Sequence, residues 1–250
     1  MNKKKLTKLG VSLALVATVG VGATLAYLSA TSDTLTNSFT VGDGFITDDE
    51  GRPAIILDEQ FWTNKGTDTI TEDEKSPFSD TRTTDGNEYK DVLSGDTLTK
   101  DPTVHVRNGS VNSYVFVKVD GLDDLVALQN NKDETLFSVD INNESNQWKK
   151  VANTDGGYTT TPNNKLDGVY VWYQPLKTEG KTDEDGYYQS TDPLFNAIVV
   201  NDVANFLNDE NQKIDLTDYD ITIAACAVQA KAQGTTITEA DAFADATFTK

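Results

Sequence analysis

Between positions 34 and 41 the chain alternates. Leu35, Asn37, Phe39 and Val41 fall on one side, and Thr34, Thr36, Ser38 and Thr40 on the other. A period of two with one largely apolar side predicts a strand that buries one face. Similar runs rich in Val, Ile, Tyr and Phe occupy 54–62, 103–107, 114–119, 136–141, 147–151, 169–173, 197–200 and 220–228, and each predicts a further strand. Turn signals separate many of them. Asn108-Gly109 is the strongest hairpin signal, between a strand ending at Arg107 and one beginning near Val111, while Asp155-Gly156, Asp167-Gly168 and Asp185-Gly186 are weaker turns. Helix is scarce. Residues 121–128 suit a short helix turning Leu122, Leu125 and Val126 inward, and Thr238 can cap one over 239–244, with Glu239 and Asp241 complementing its dipole. Many strands with few short helices predict a mostly-β fold, a two-sheet sandwich of jelly-roll type. The stretches 63–92 and 177–192 are polar and lack a period, so they read as insertions in a single domain spanning 27–250.

The first 26 residues follow a different logic. Lys3, Lys4, Lys5 and Lys8 precede an apolar run from about Val11 to Leu25, which ends in Ala23-Thr24-Leu25-Ala26. That order predicts an export signal cut between Ala26 and Tyr27. An uncleaved anchor is the alternative, since the apolar run reaches Leu28 and approaches the ~18 residues that span a bilayer; membrane contact is expected only through the uncleaved signal. Charge narrows the partners. The 250 residues hold 40 Asp and Glu against 21 Lys and Arg, a net charge of −19, which repels phosphate backbones and excludes a nucleic-acid binder. One cysteine, Cys226, rules out an intramolecular disulfide, and one histidine, His105, rules out the two-His ligand set of HExxH proteases.

Several stretches carry a resemblance. Gly22-Ala23-Thr24-Leu25-Ala26-Tyr27-Leu28-Ser29, followed by Thr36-Asn37-Ser38-Phe39-Thr40-Val41-Gly42, resembles exported proteins of Gram-positive bacteria that a SipW-type signal peptidase processes. Residues 95–101 (GDTLTKD), 104–110 (VHVRNGS), 114–119 (YVFVKV) and 221–230 (ITIAACAVQA) are similar to strands of the TasA/camelysin family. The resemblance leaves 130–215 and the acidic insertion uncovered. It implies a jelly-roll subunit of the cell surface or extracellular (biofilm) matrix, able to form fibres in which an N-terminal strand of one subunit completes the sheet of the next. Some members carry a metalloendopeptidase label, which transfers poorly to a chain with one His and no HExxH. The expectation is a secreted, non-enzymatic protein that meets a SipW-type peptidase during export and then associates with itself.

Independently of any family, Leu35, Phe39 and Val41 make 34–41 a candidate assembly strand: an apolar-faced segment near the start of the mature chain can pair within its own subunit or add to a neighbour's open edge. His105 alternates with Val104 and Val106 and is expected to be hydrogen-bonded or solvent-facing. Cys226 shares a strand face with Thr222, Ala224 and Val228 and is expected to be a buried free thiol. Asp48 and Asp49 before Gly51, and Asp183 and Asp185 before Gly186, are candidate calcium ligands, although neither loop completes an EF-hand; no other cofactor is expected. Tyr170, Trp172, Tyr173, Tyr187 and Tyr188 suit either core packing or a sugar platform. The alternative function is therefore a monomeric surface module for a glycan or host ligand, with calcium as a stabiliser.

Overall fold

The computed structural model describes residues 29–32, 45, 53–63, 69–77, 79–141, 147–181, 188–216, 219–232 and 235–248. The elements run β1 (Ser29–Ser32), β2 (Ile55–Gln60), β3 (Lys75–Ser76), β4 (Ser79–Thr83), β5 (Thr97–Thr99), β6 (Thr103–Arg107), β7 (Ser113–Asp120) and α1 (Leu122–Val126). Then follow β8 (Phe137–Ile141), β9 (Trp148–Ala152), β10 (Gly168–Trp172), β11 (Tyr188–Ser190), β12 (Phe195–Val200), β13 (Thr222–Gln229), β14 (Lys231–Ala232), β15 (Thr235–Thr236) and α2 (Glu239–Asp245). The fold is mostly β. Strands order as β1-β13-β7-β10-β9 in a first sheet, β11-β6-β2-β4-β3 in a second and β5-β12-β8 in a third, with β14-β15 as a small ribbon. Among the described residues every strand pair is antiparallel.

The main core lies where the first sheet meets the other two. Val115, Val117 and Val119 of β7 and Ala225 and Ala227 of β13 join Ile55, Val104 and Val106 of the second sheet and Leu98, Phe137, Ile198 and Val200 of the third. The first sheet is also buried on its far side, where Phe116, Val151, Val169, Val171, Cys226 and Val228 pack with Ala242 of α2. Burial on both faces explains why β7 and β13 read as nearly continuous apolar runs rather than clean alternations. The helix that covers this far face is well specified. Thr238 Oγ1 accepts from Asp241 N while the Asp241 carboxylate accepts from Thr238 N, a reciprocal cap that anchors α2, and Phe243 then sets its ring edge-on against Phe116, centroids 5.8 Å apart.

Three sequence expectations need correction. Asn108-Gly109 is not a hairpin: β6 belongs to the second sheet and β7 to the first, so the turn is a corner between layers. A two-residue type I′ hairpin needs positive φ at both central residues, and here only Gly109 has it, at 85°. Gly109 N donates to Thr178 O and Thr178 Oγ1 donates to Ser110 O, so contacts from a distant segment set the corner. The stretch 63–92 is not plain loop, because it contains β3 and β4; their Lys, Ser, Asp, Thr and Arg residues give no apolar period, β4 pairs with the polar end of β2, and β3 pairs with β4. Within 177–192, likewise, lies β11, a three-residue strand on β6.

Candidate functional site

Two regions stand out, a backbone edge in the first sheet and a buried polar cluster in the second. At the edge, β1 pairs antiparallel with β13 from Ser29 opposite Val228 to Ser32 opposite Ala225. On its other flank β13 pairs with β7 over eight residues, from Thr222 opposite Asp120 to Gln229 opposite Ser113. The strand that closes the sheet therefore engages half the length of its neighbour. It begins two residues after the Ala26/Tyr27 junction. Ala26, Tyr27, Leu35, Phe39 and Val41 themselves lie outside the described residues, as do the calcium candidates Asp48, Asp49, Asp183 and Asp185. Among the described residues no group of three or more His, Cys, Asp or Glu side chains is placed to hold a metal ion, and no helix is long and apolar enough to cross a membrane.

The polar cluster follows from strand alternation. In β2, Leu57 turns to the main core, which places Asp58 on the opposite face beside His105, whose neighbours Val104 and Val106 also point inward. His105 is 2% exposed. Its Nε2 lies 2.9 Å from Asp58 Oδ1 and its Nδ1 2.6 Å from Ser190 Oγ, so the ring ties β2, β6 and β11 together. Arg82 of β4 donates from Nε to the same Asp58 oxygen at 2.7 Å, from Nη1 to Asp101 Oδ2 at 2.8 Å, and from Nη2 to Asp101 O and Thr103 Oγ1. Ser76 of β3 donates to the second Asp58 oxygen at 2.5 Å. Burial pushes the Asp58 carboxyl up, but hydrogen bonds and charge from His105, the Ser76 hydroxyl and the Arg82 guanidinium outweigh it and hold it below the usual carboxylate range. With His105, Ser76 and Arg82 all on one carboxylate, Asp58 orients the ring and also anchors the β3–β4 edge.

The next residue of β2 faces the other way and builds a second group. Glu59 Oε2 lies 2.6 Å from Lys100 Nζ, both side chains being 8% exposed. Glu59 Oε1 accepts from Lys100 Nζ and from Asn87 Nδ2, each at 2.9 Å. Tyr89 sits close by, donating to Thr99 O at 2.6 Å, and its hydroxyl pKa is driven up by burial and by the Glu59 charge. A cavity of about 200 Å³ adjoins the pair, walled by Leu57, Glu59, Thr83, Lys100, Pro102 and Ile223.

The remaining candidates resolve simply. Cys226 is fully buried and its thiol is pushed up to about 12, so it is a small apolar group of the satellite core rather than a thiolate. Tyr170 and Trp172 pack with the main core, while Tyr173 is exposed and stacks edge-on against Trp172 at 5.1 Å. Glu59, Arg82, Asn87 and Lys100 went unnoticed in the sequence. The available signal was two adjacent carboxylates, Asp58-Glu59, inside an otherwise apolar strand run, where burial demands partners. Comparison with known proteins returns nothing: no family model, no curated protein and no solved structure matches the chain.

Proposed function

We propose that this protein is a secreted structural subunit of the cell surface or extracellular matrix of a Gram-positive bacterium, a jelly-roll sandwich that polymerises through its N-terminal strand. The observation that carries the reading is the β1–β13 pairing. A strand lying at the very start of the expected mature chain closes the first sheet, and it engages only four residues of an eight-residue edge. Such a strand is tethered at one end and gives up few backbone bonds on leaving, so a neighbour's equivalent strand can replace it. Export by a SipW-type peptidase would free that end. Repetition of the exchange is a heterologous contact that propagates head to tail.

The sequence supplies the test. Leu35 and Phe39 follow β1 directly and carry the apolar face of the alternating segment. Leu35→Asp with Phe39→Asp, in protein beginning at Tyr27, is expected to leave a folded monomer on a sizing column where the unmodified protein forms polymer, because charge on that face resists burial in a neighbour. Unchanged polymer from the variant refutes strand donation. A variant that fails to fold assigns the segment to its own core instead.

A further inference from the structure

Lys100, Glu59 and Asn87 form a group with more organisation than an ion pair needs. A buried Lys–Glu pair is costly to desolvate and seldom stabilises more than apolar side chains of the same size. Here one carboxylate oxygen holds three nitrogens at once, the Lys100 amine and the Asn87 side-chain amide, each at 2.9 Å, and the Asn87 backbone N–H at 3.2 Å. Backbone groups fix the orientation of that amide without ambiguity. Asn87 Nδ2 also donates to Gln60 O, which only accepts, and Asn87 Oδ1 accepts from Trp62 N at 2.8 Å, which only donates. The carboxamide is therefore held with its nitrogen toward Glu59 and its carbonyl oxygen on a hydrogen-bond donor. Trp62 and Tyr89, ring centroids 5.8 Å apart, flank the group.

These are the parts of an acyl transfer: an amine nucleophile and a carboxylate able to take and return protons, both 8% exposed, and a carbonyl whose oxygen is already hydrogen-bonded. We propose that Lys100 Nζ and Asn87 Cγ become joined by an isopeptide bond within the chain, with Glu59 as the proton-transfer residue. Glu59 takes a proton from the Lys100 ammonium, and the freed lone pair attacks Asn87 Cγ. The carbonyl electrons move onto Oδ1, where the Trp62 N–H steadies them. Glu59 then passes that proton to Nδ2, the Cγ–Nδ2 bond breaks and the carbonyl reforms, while the second proton leaves the now cationic Nζ through Glu59 and is taken up by the departing ammonia. One ammonium and one primary amide become one secondary amide and one ammonium ion. Nothing is oxidised or reduced, and Glu59 ends as it began. The neighbouring cavity gives the released ammonium a way out. The bond would fasten the loop that leaves β4 of the second sheet to the residue that follows β5 of the third, adding a covalent link where the Lys100–Glu59 pair and the Tyr89–Thr99 hydrogen bond already join them. The inference is independent of how the N-terminal strand behaves.

Intact mass spectrometry of the purified full chain tests it. The expected mass is below the sequence mass by about 17 Da, one ammonia. A tryptic map should show a branched peptide joining Asn87 to Lys100, with no cleavage after Lys100. Glu59→Gln and Lys100→Arg should each return to their own sequence mass. A wild-type mass equal to the sequence mass, or a loss of ammonia that maps to a linear peptide such as the one holding Asn108-Gly109, overturns the proposal. That reading needs no variant to fold.

Discussion

Two sheets of this molecule end in edges held in opposite ways. The second sheet closes on the β3–β4 hairpin, whose Arg82 and Ser76 reach into a buried cluster with Asp58, Asp101 and Thr103. The first sheet closes on β1, four residues of sequence Ser-Ala-Thr-Ser aligned with half of β13. An edge anchored by buried charged side chains cannot leave without stranding them, and that cost is several kcal/mol. The four-residue pairing of β1 gives up backbone bonds that water or another copy of the same strand replaces, at a net ~1 kcal/mol each. The proposed assembly rests on this contrast between the two edges.

The contrast breaks most visibly at Arg82. Replacing it with Ala removes a guanidinium bound to the buried Asp58 carboxylate and to Asp101, so a loss of about 3–5 kcal/mol in urea unfolding is expected. A loss under about 1 kcal/mol would place the β3–β4 edge in the same class as β1.

Acid acts on the same cluster. Because the folded Asp58 carboxyl sits below its ordinary value, its contribution is fully present above the unfolded pKa of about 3.9 and is lost as pH falls through the folded value. Midpoints of thermal unfolding should therefore drop as pH falls below about 4. Asp58→Asn should lower the midpoint at neutral pH and flatten that acid decline; a decline as steep in the variant would assign it to other carboxylates.

Smaller effects are expected on the first sheet. Thr238→Ala removes the cap of α2 and should cost about 1 kcal/mol, with increased exposure of the Phe116–Phe243 contact to hydrogen exchange. Replacing both Ala30 and Thr31 of β1 by Pro removes at least one ladder bond whichever of them points its N–H at β13. The expected loss is only about 0.5–1.5 kcal/mol in the monomer. Polymer formation should nevertheless disappear. A large loss of stability with polymer retained would reverse the roles of the two edges.

What could be read from the sequence divides along the same line. β2, β6, β7, β8, β9, β10, β12 and β13 were legible because each lies in a run rich in apolar, β-branched or aromatic residues, and α2 because its cap and acidic first turn are local signals. β3, β4 and β11 were not, since they are short and polar, and β4 and β11 pair with strands far along the chain while β3 pairs with β4. The cluster they help to build was hidden for the same reason: Asp58 and His105 are 47 positions apart, and His105 and Ser190 are 85 apart. The Asn108-Gly109 corner shows the limit of a local signal. Its turn residues specify a reversal, but which sheet receives the next strand is decided by β13 and β10, which pair with β7 on either side.

The most direct test of the central claim is electron microscopy of negatively stained protein beginning at Tyr27, beside the same protein carrying a blocking N-terminal extension. Filaments from the free N-terminus and none from the blocked one are the predicted result. Filaments from both, or single particles from both across salt and pH, would contradict assembly through the first strand.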